Sequence, residues 1–161
     1  MLCGMTQKAS FAIFLLMFLL MFLSTPAAAD LNTVSEKAPE ELAEWMHPEM
    51  AHLAGDVVRI CAEQEVSAEF IAAVMRYERR PDLHNWFGWS DGAELIAFDS
   101  DLDCLETVIP KIKENYLTPG GIYYNGATVD GVAIHYNNSA RWREAIHAEM
   151  GRMEKSEGHN D

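Results

Sequence analysis

A mainly α-helical domain of the α+β class, carrying one small β-hairpin, is what this sequence predicts, and three observations predict it. Apolar residues recur at helical spacing in most of the chain between Pro39 and Met150. The period changes only between His84 and Phe98, where a short aromatic-rich run is punctuated by Ser90-Asp91-Gly92. The chain has 161 residues, enough after removal of a leader for one domain with a real core and too few for two.

Residues 1–29 read as a secretory signal peptide: a short start with Lys8, an apolar run from Phe11 to Leu23, and small residues at Ala27-Ala28-Ala29. That run falls short of the roughly 20 residues a bilayer-spanning helix needs. Cleavage before Asp30 is expected, which places the product outside the cytoplasm, secreted, periplasmic or associated with a cell wall, with no stable membrane insertion. Residues 30–47 form an N-terminal lead-in, flexible to Ala38 and helical from Pro39 through PEELAEWM. His47-Pro48 breaks that helix, and Pro48 suits the first turn of a second one that runs to about Gln64. Met50, Leu53, Ala54, Val57, Ile60 and Cys61 face the core from it. His47 and His52 stand outside any ligand cluster of recognisable spacing and read as surface histidines, so no metal is expected.

The next helix opens at Ser67, a good N-cap, with Val66 and Ile71 placed to form a hydrophobic staple and Glu69 in the first turn. At about 100° per residue, Phe70, Ile71, Val74 and Met75 make one stripe, and Glu78 falls near its middle. Pro81 closes the helix, since the residue before a proline avoids the helical region. A carboxylate on a helix's buried face is disfavoured unless it is paired or used, because burial penalises the charged form. Held protonated near neutral pH, it is a general acid. A neighbouring cation would oppose this, so the role requires the guanidiniums of Arg79 and Arg80 to point away.

His84–Trp89 and Glu94–Phe98 are the two strands of the expected hairpin. Ser100 and Asp103 resemble a capping box opening a helix with Leu102, Leu105, Ile109, Ile112 and Tyr116 inward, kinked or broken at Pro110. After the loop at Thr118-Pro119-Gly120-Gly121, Thr128 caps a short helix ending near Tyr136, and Asn137-Asn138 suits a left-handed stop. Ser139 caps a last helix with Trp142, Ala145, Ile146 and Met150 on one side, before a polar tail over 151–161.

The formal charge is −13, and the leader's one charged residue is Lys8, so the remainder is more acidic still. Such a chain repels nucleic acid and anionic membrane surfaces. Cys61 and Cys104 remain after the leader is removed, an even pair in an oxidising compartment. They could form a disulfide or stay as two separate buried thiols, because spacing in sequence does not constrain the distance between them.

The order of these features is similar to the glucosaminidase branch of the lysozyme-like superfamily, the peptidoglycan endo-β-N-acetylglucosaminidases. The residues that carry the resemblance are a helix ending in Glu78, then Asn85-Trp86-Phe87-Gly88-Trp89, Phe98-Asp99-Ser100 and Asn115-Tyr116-Leu117. Gly120-Gly121, Tyr123-Tyr124-Asn125-Gly126, and Tyr136-Asn137 with Trp142 complete the set. It covers roughly 55–150, so that residues 48–150 would be a lysozyme-like glucosaminidase domain in which the hairpin flanks a substrate groove. The resemblance implies a cofactor-free, monomeric hydrolase acting on peptidoglycan glycan strands, with Glu78 as the acid, Asn85 to Gly88 as the family's asparagine–aromatic–Phe–Gly motif, and Tyr136 with Asn137 near the cleft. The family's usual serine after the glutamate is replaced here by Arg79.

Cleaving a β-1,4 bond to an amino sugar needs a proton for the leaving oxygen and a group that stabilises or attacks the oxocarbenium-like centre. Glu94, Asp99 and Asp91, in that order, are the candidate carboxylates for the second role, and the substrate's own acetamido group is the alternative. Trp86, Trp89, Tyr123, Tyr124 and Tyr136 could stack on sugars, and Asn85 could bond an acetamido group. Plainer readings stand beside these. Glu78 could be a salt-bridge partner, Trp86, Phe87, Trp89 and Phe98 the hairpin's own core, and Glu94 a solvent-facing residue. Two other activities fit the same residues, a lytic transglycosylase and a non-catalytic peptidoglycan-binding protein.

Overall fold

The computed structural model describes residues 28–155. The expected signal segment up to residue 27 and the end of the expected polar tail from residue 156 lie outside the described residues. Among the described residues there are six helices: α1 (Pro39–Trp45), α2 (Ala54–Gln64), α3 (Ala68–Glu78), α4 (Asp101–Ile112), α5 (Val129–Tyr136) and α6 (Ala140–Lys155). Single 3₁₀ turns at Ala51–Leu53 and Pro81–Leu83 precede α2 and follow α3, and a π-helical turn, Lys113–Leu117, extends α4.

The caps expected from sequence form. Ser67 accepts from the Phe70 amide, Ser100 from Asp103, Thr128 from Gly131 and Ser139 from Trp142, each satisfying an amide that the first helical turn leaves without a partner. Helix α3 is the centre of the molecule. It packs against α2 on one side and α6 on another, and Phe70 to Met75 are buried without interruption. Its stripe has therefore widened to most of its circumference, as a helix surrounded by others requires. Helix α2 in turn meets α1 and α4, and α5 meets α6.

Several expectations are corrected. The lead-in contributes to the core: Leu31, Leu42 and Met46 are buried, and the Leu31 backbone donates to Ala127 O (2.9 Å) and accepts from the Ser67 amide (2.9 Å). The β-hairpin is reduced to two isolated antiparallel bridges, Arg80–Asn85 and Ser90–Leu95. Too few residues pair in register to build a ladder, and side-chain bonds hold the loop instead. Helix α4 continues through Pro110 without a break and turns its buried side through Cys104, Leu105, Val108, Ile109 and Ile112, leaving Leu102 exposed. Asn137 is extended (φ −153°), so α5 ends without a left-handed residue. Of the two readings left open for Cys61 and Cys104, the structure has the separate buried thiols. Cys61 and Cys104 are free thiols buried on α2 and α4, and burial pushes both up, Cys104 to about 12. Among the described residues no helix is long and apolar enough to cross a membrane.

Candidate functional site

Glu78 is the last residue of α3. Arg79 leaves the helix with ψ 133°, and Pro81 starts a 3₁₀ turn that ends on His84 in the left-handed region (φ 49°). The chain thus reverses immediately after Glu78. Arg80 and Asn85 close the reversal with two backbone bonds of 2.8 and 3.1 Å. Both guanidiniums turn away from Glu78. Arg79 donates to Arg76 O (2.7 Å) and lies 3.9 Å from Glu49, while Arg80 lies 3.8 Å from Asp82.

Two approaches define the surroundings of the Glu78 carboxylate. The Asn137 amide, at the exit of α5, donates to Oε1 at 3.1 Å. Gly88 comes in beside the other oxygen: with φ at +59°, a Cβ there would stand 3.1 Å from Oε2. Glycine is needed at Gly88 both for that backbone angle and for the space. Tyr136 secures the same loop by donating its hydroxyl to Phe87 O at 2.7 Å.

Around Glu78 lies an open cavity of about 530 Å³, lined by Phe87 to Gly92 on one side and by Tyr116, Tyr123, His135, Tyr136 and Asn137 on the other. The ring centroids of Tyr116 are 5.0 Å from Tyr123 and 5.6 Å from Tyr136, which continues to Trp89 at 6.3 Å and Trp142 at 5.6 Å. Burial pushes the Tyr116 phenol up to about 12. Burial, reinforced by the Glu78 charge and Tyr116, holds Tyr136 well above 10. Both phenols are therefore neutral donors across the working range of an enzyme and cannot serve as bases there. The second wall is positioned by close backbone contacts. Gly121 sits against the carbonyls of Glu114 and Asn115 in the π turn, and Gly131 against those of Asn125 and Gly126, in spaces that admit no Cβ. Tyr123 N then bonds Asn115 O at 2.9 Å.

Of the residues singled out in the sequence, Glu78, Phe87, Trp89, Tyr123, Tyr136 and Asn137 come together at this cavity, and Asp91 joins them. Others do not. Asn85 is fully buried, and its side chain is committed to the loop: Nδ2 donates to Trp89 O and Ile96 O, both at 2.8 Å, and Oδ1 accepts from the amides of Phe87 (3.3 Å) and Trp89 (2.8 Å). It has nothing left for an acetamido group. Trp86 is buried and donates to Asp101 (2.9 Å), so it is a loop anchor and not a sugar platform. The Phe87 ring is likewise in the core. Glu94, Asp99 and Tyr124 are exposed and lie outside the lining, which reverses the order of the candidate carboxylates in favour of Asp91. Tyr116 and His135 belong to the lining although sequence reasoning passed them over. Tyr116 reads as core from its spacing, and the one signal for His135 is its place directly before Tyr136. No protein-family model and no curated protein matches this chain.

Proposed function

We propose that this protein is a secreted glycoside hydrolase that cleaves β-1,4 bonds between N-acetylglucosamine and N-acetylmuramic acid in peptidoglycan, with Glu78 as general acid. One observation carries the reading: a carboxylate with no cation paired to it among the described residues lines an aromatic cavity, one oxygen bonded by Asn137 and the other beside the Cα of Gly88. Helix end, reversed loop and α5 exit converge there, the arrangement a positioned proton donor needs.

In the proposed reaction Glu78 gives its proton to the glycosidic oxygen as the bond from that oxygen to the anomeric carbon breaks. Because Oε1 accepts from Asn137, the proton resides on Oε2, the oxygen on the Gly88 side. The developing positive charge is met by Asp91 at the loop tip or by the carbonyl oxygen of the substrate's own acetamido group. Water then adds at the anomeric carbon and returns a proton to Glu78. Trp89 and Tyr123 offer partly exposed ring faces to sugars.

The test is digestion of purified peptidoglycan by the wild type and by Glu78→Gln, with soluble products identified by mass. Fragments ending in a reducing N-acetylglucosamine, released by the wild type and absent with the variant, are the expected result. Products lighter by one water, with no reducing end, would make the enzyme a lytic transglycosylase. Wall binding with no fragments from either protein would make it a binding module.

A further inference from the structure

Among the described residues, those lining the cavity include two carboxylates, Glu78 and Asp91, and no lysine or arginine. His135 is the one lining side chain among the described residues that can become a cation. The nearest arginines in sequence are engaged elsewhere: Arg79 with Glu49 and the Arg76 carbonyl, Arg80 with Asp82. The chain as a whole adds a formal charge of −13. Clefts focus the field of their own charges, and a ligand group of like sign brought into one is opposed strongly unless an opposite charge meets it.

Resting on the hydrolase reading above, we infer that the groove selects its glycan by charge at the sugars: it takes amino-sugar strands whose sugar-borne acidic groups are capped as amides or absent, and rejects strands whose sugars bear free carboxylates. In peptidoglycan the lactyl group of muramic acid is uncharged at the sugar when a peptide is joined to it through an amide bond. It becomes an anion when that peptide is removed. The groove therefore acts on strands that still carry their peptides and slows on stripped ones. Asp91, exposed at the loop tip, is the lining carboxylate that enforces this, whereas Glu78 is neutral when it acts as the acid.

The test compares one stripped glycan strand in two forms, with free lactyl carboxylates and with the same groups converted to methylamides, so that length and sugars are equal. An uncharged N-acetylglucosamine oligomer serves as a third substrate. The capped strand is expected to be cleaved with a kcat/KM about tenfold higher at about 20 mM salt, the gap closing toward parity near 0.5 M as the charges are screened. Asp91→Asn should narrow the low-salt ratio at least about threefold, the ratio being the readout whatever happens to the rate. Equal rates at low salt, or faster cleavage of the free acid, overturn charge selection while leaving the hydrolase intact. Failure to cleave any of the three, the uncharged oligomer included, overturns the hydrolase reading and this inference with it.

Discussion

Asn85 uses its whole side chain to hold the loop that carries Gly88 to the Glu78 carboxylate. Replacing it with alanine strands two backbone donors and two acceptors in a buried site, where each unmet group costs about 1–3 kcal/mol. Asn85→Ala is expected to lose about 3 kcal/mol of stability in urea unfolding, more than a surface loop residue could account for. Asn137 makes the complementary case. It is half-buried and its side-chain amide donates to Glu78, so on the proposed reading Asn137→Ala should fold normally yet lower kcat about 10- to 100-fold with little change in KM. A rise in KM with kcat unchanged would remove Asn137 from the proton-transfer machinery. At this scale the sequence was legible wherever a side chain acts within one turn: Ser67, Ser100, Thr128 and Ser139 all cap as their spacing implies. Asn85 and Trp86 misled because their partners, Ile96 and Asp101, lie 11 and 15 residues away along a loop whose path no local pattern encodes.

Between elements, the loop from Arg80 to Ser100 is moored to the start of α4 through Asp101. His84 and Trp86 bond one of its carboxylate oxygens at 2.7 and 2.9 Å, and His52 approaches the other at 3.3 Å. Burial alone would push the Asp101 carboxyl up, but the bonds from His84, Trp86 and His52 outweigh it and hold it below its usual range. A carboxyl lowered by folding contributes stability that is fully present above its unfolded value, about 3.9, and is lost as pH falls through the folded value. The stability gap between wild type and Asp101→Asn, followed by urea midpoints, should therefore be constant near pH 6 and shrink on acidification below about pH 4. A gap that widens toward acid would mean that Asp101 is not held in its charged form. The same scale shows why the hairpin was over-read. Aromatic residues either side of a Ser-Asp-Gly turn suit strands, but here one bond network replaces the ladder. The π turn after Ile112 had no signature in the sequence at all, although Gly121 is fitted against its carbonyls. Gly121→Ala should accordingly destabilise the protein by about 2 kcal/mol or more, with Tyr123 displaced from the cavity wall, whereas Gly55→Ala, which meets open space in a helix, should not destabilise it.

For the whole molecule, helical periodicity predicted a mainly helical body correctly, because buried stripes on successive helices can be read without knowing how the helices are arranged. Which helix lies at the centre could not be read that way: α3 is buried on most sides only because α2 and α6 close over it. The two core cysteines are also a property of that arrangement. Thiol titration of the denatured, unreduced full-length chain should find one reactive group for each of its 3 cysteines, and a count of one would reveal a bridge. Leu31, finally, ties the N-terminal segment to the middle of the fold, clasped between the Ala127 carbonyl and the Ser67 amide with its side chain sealed in the core. On the secretory reading it also lies just two residues beyond the scissile bond after Ala29. A leader peptidase must grip extended chain on both sides of that bond, so processing and docking of Leu31 compete for the same residues. On that same reading maturation is ordered in time, with the leader cut first and the N-terminal clasp shut only after the segment bearing Ala127 has crossed the membrane.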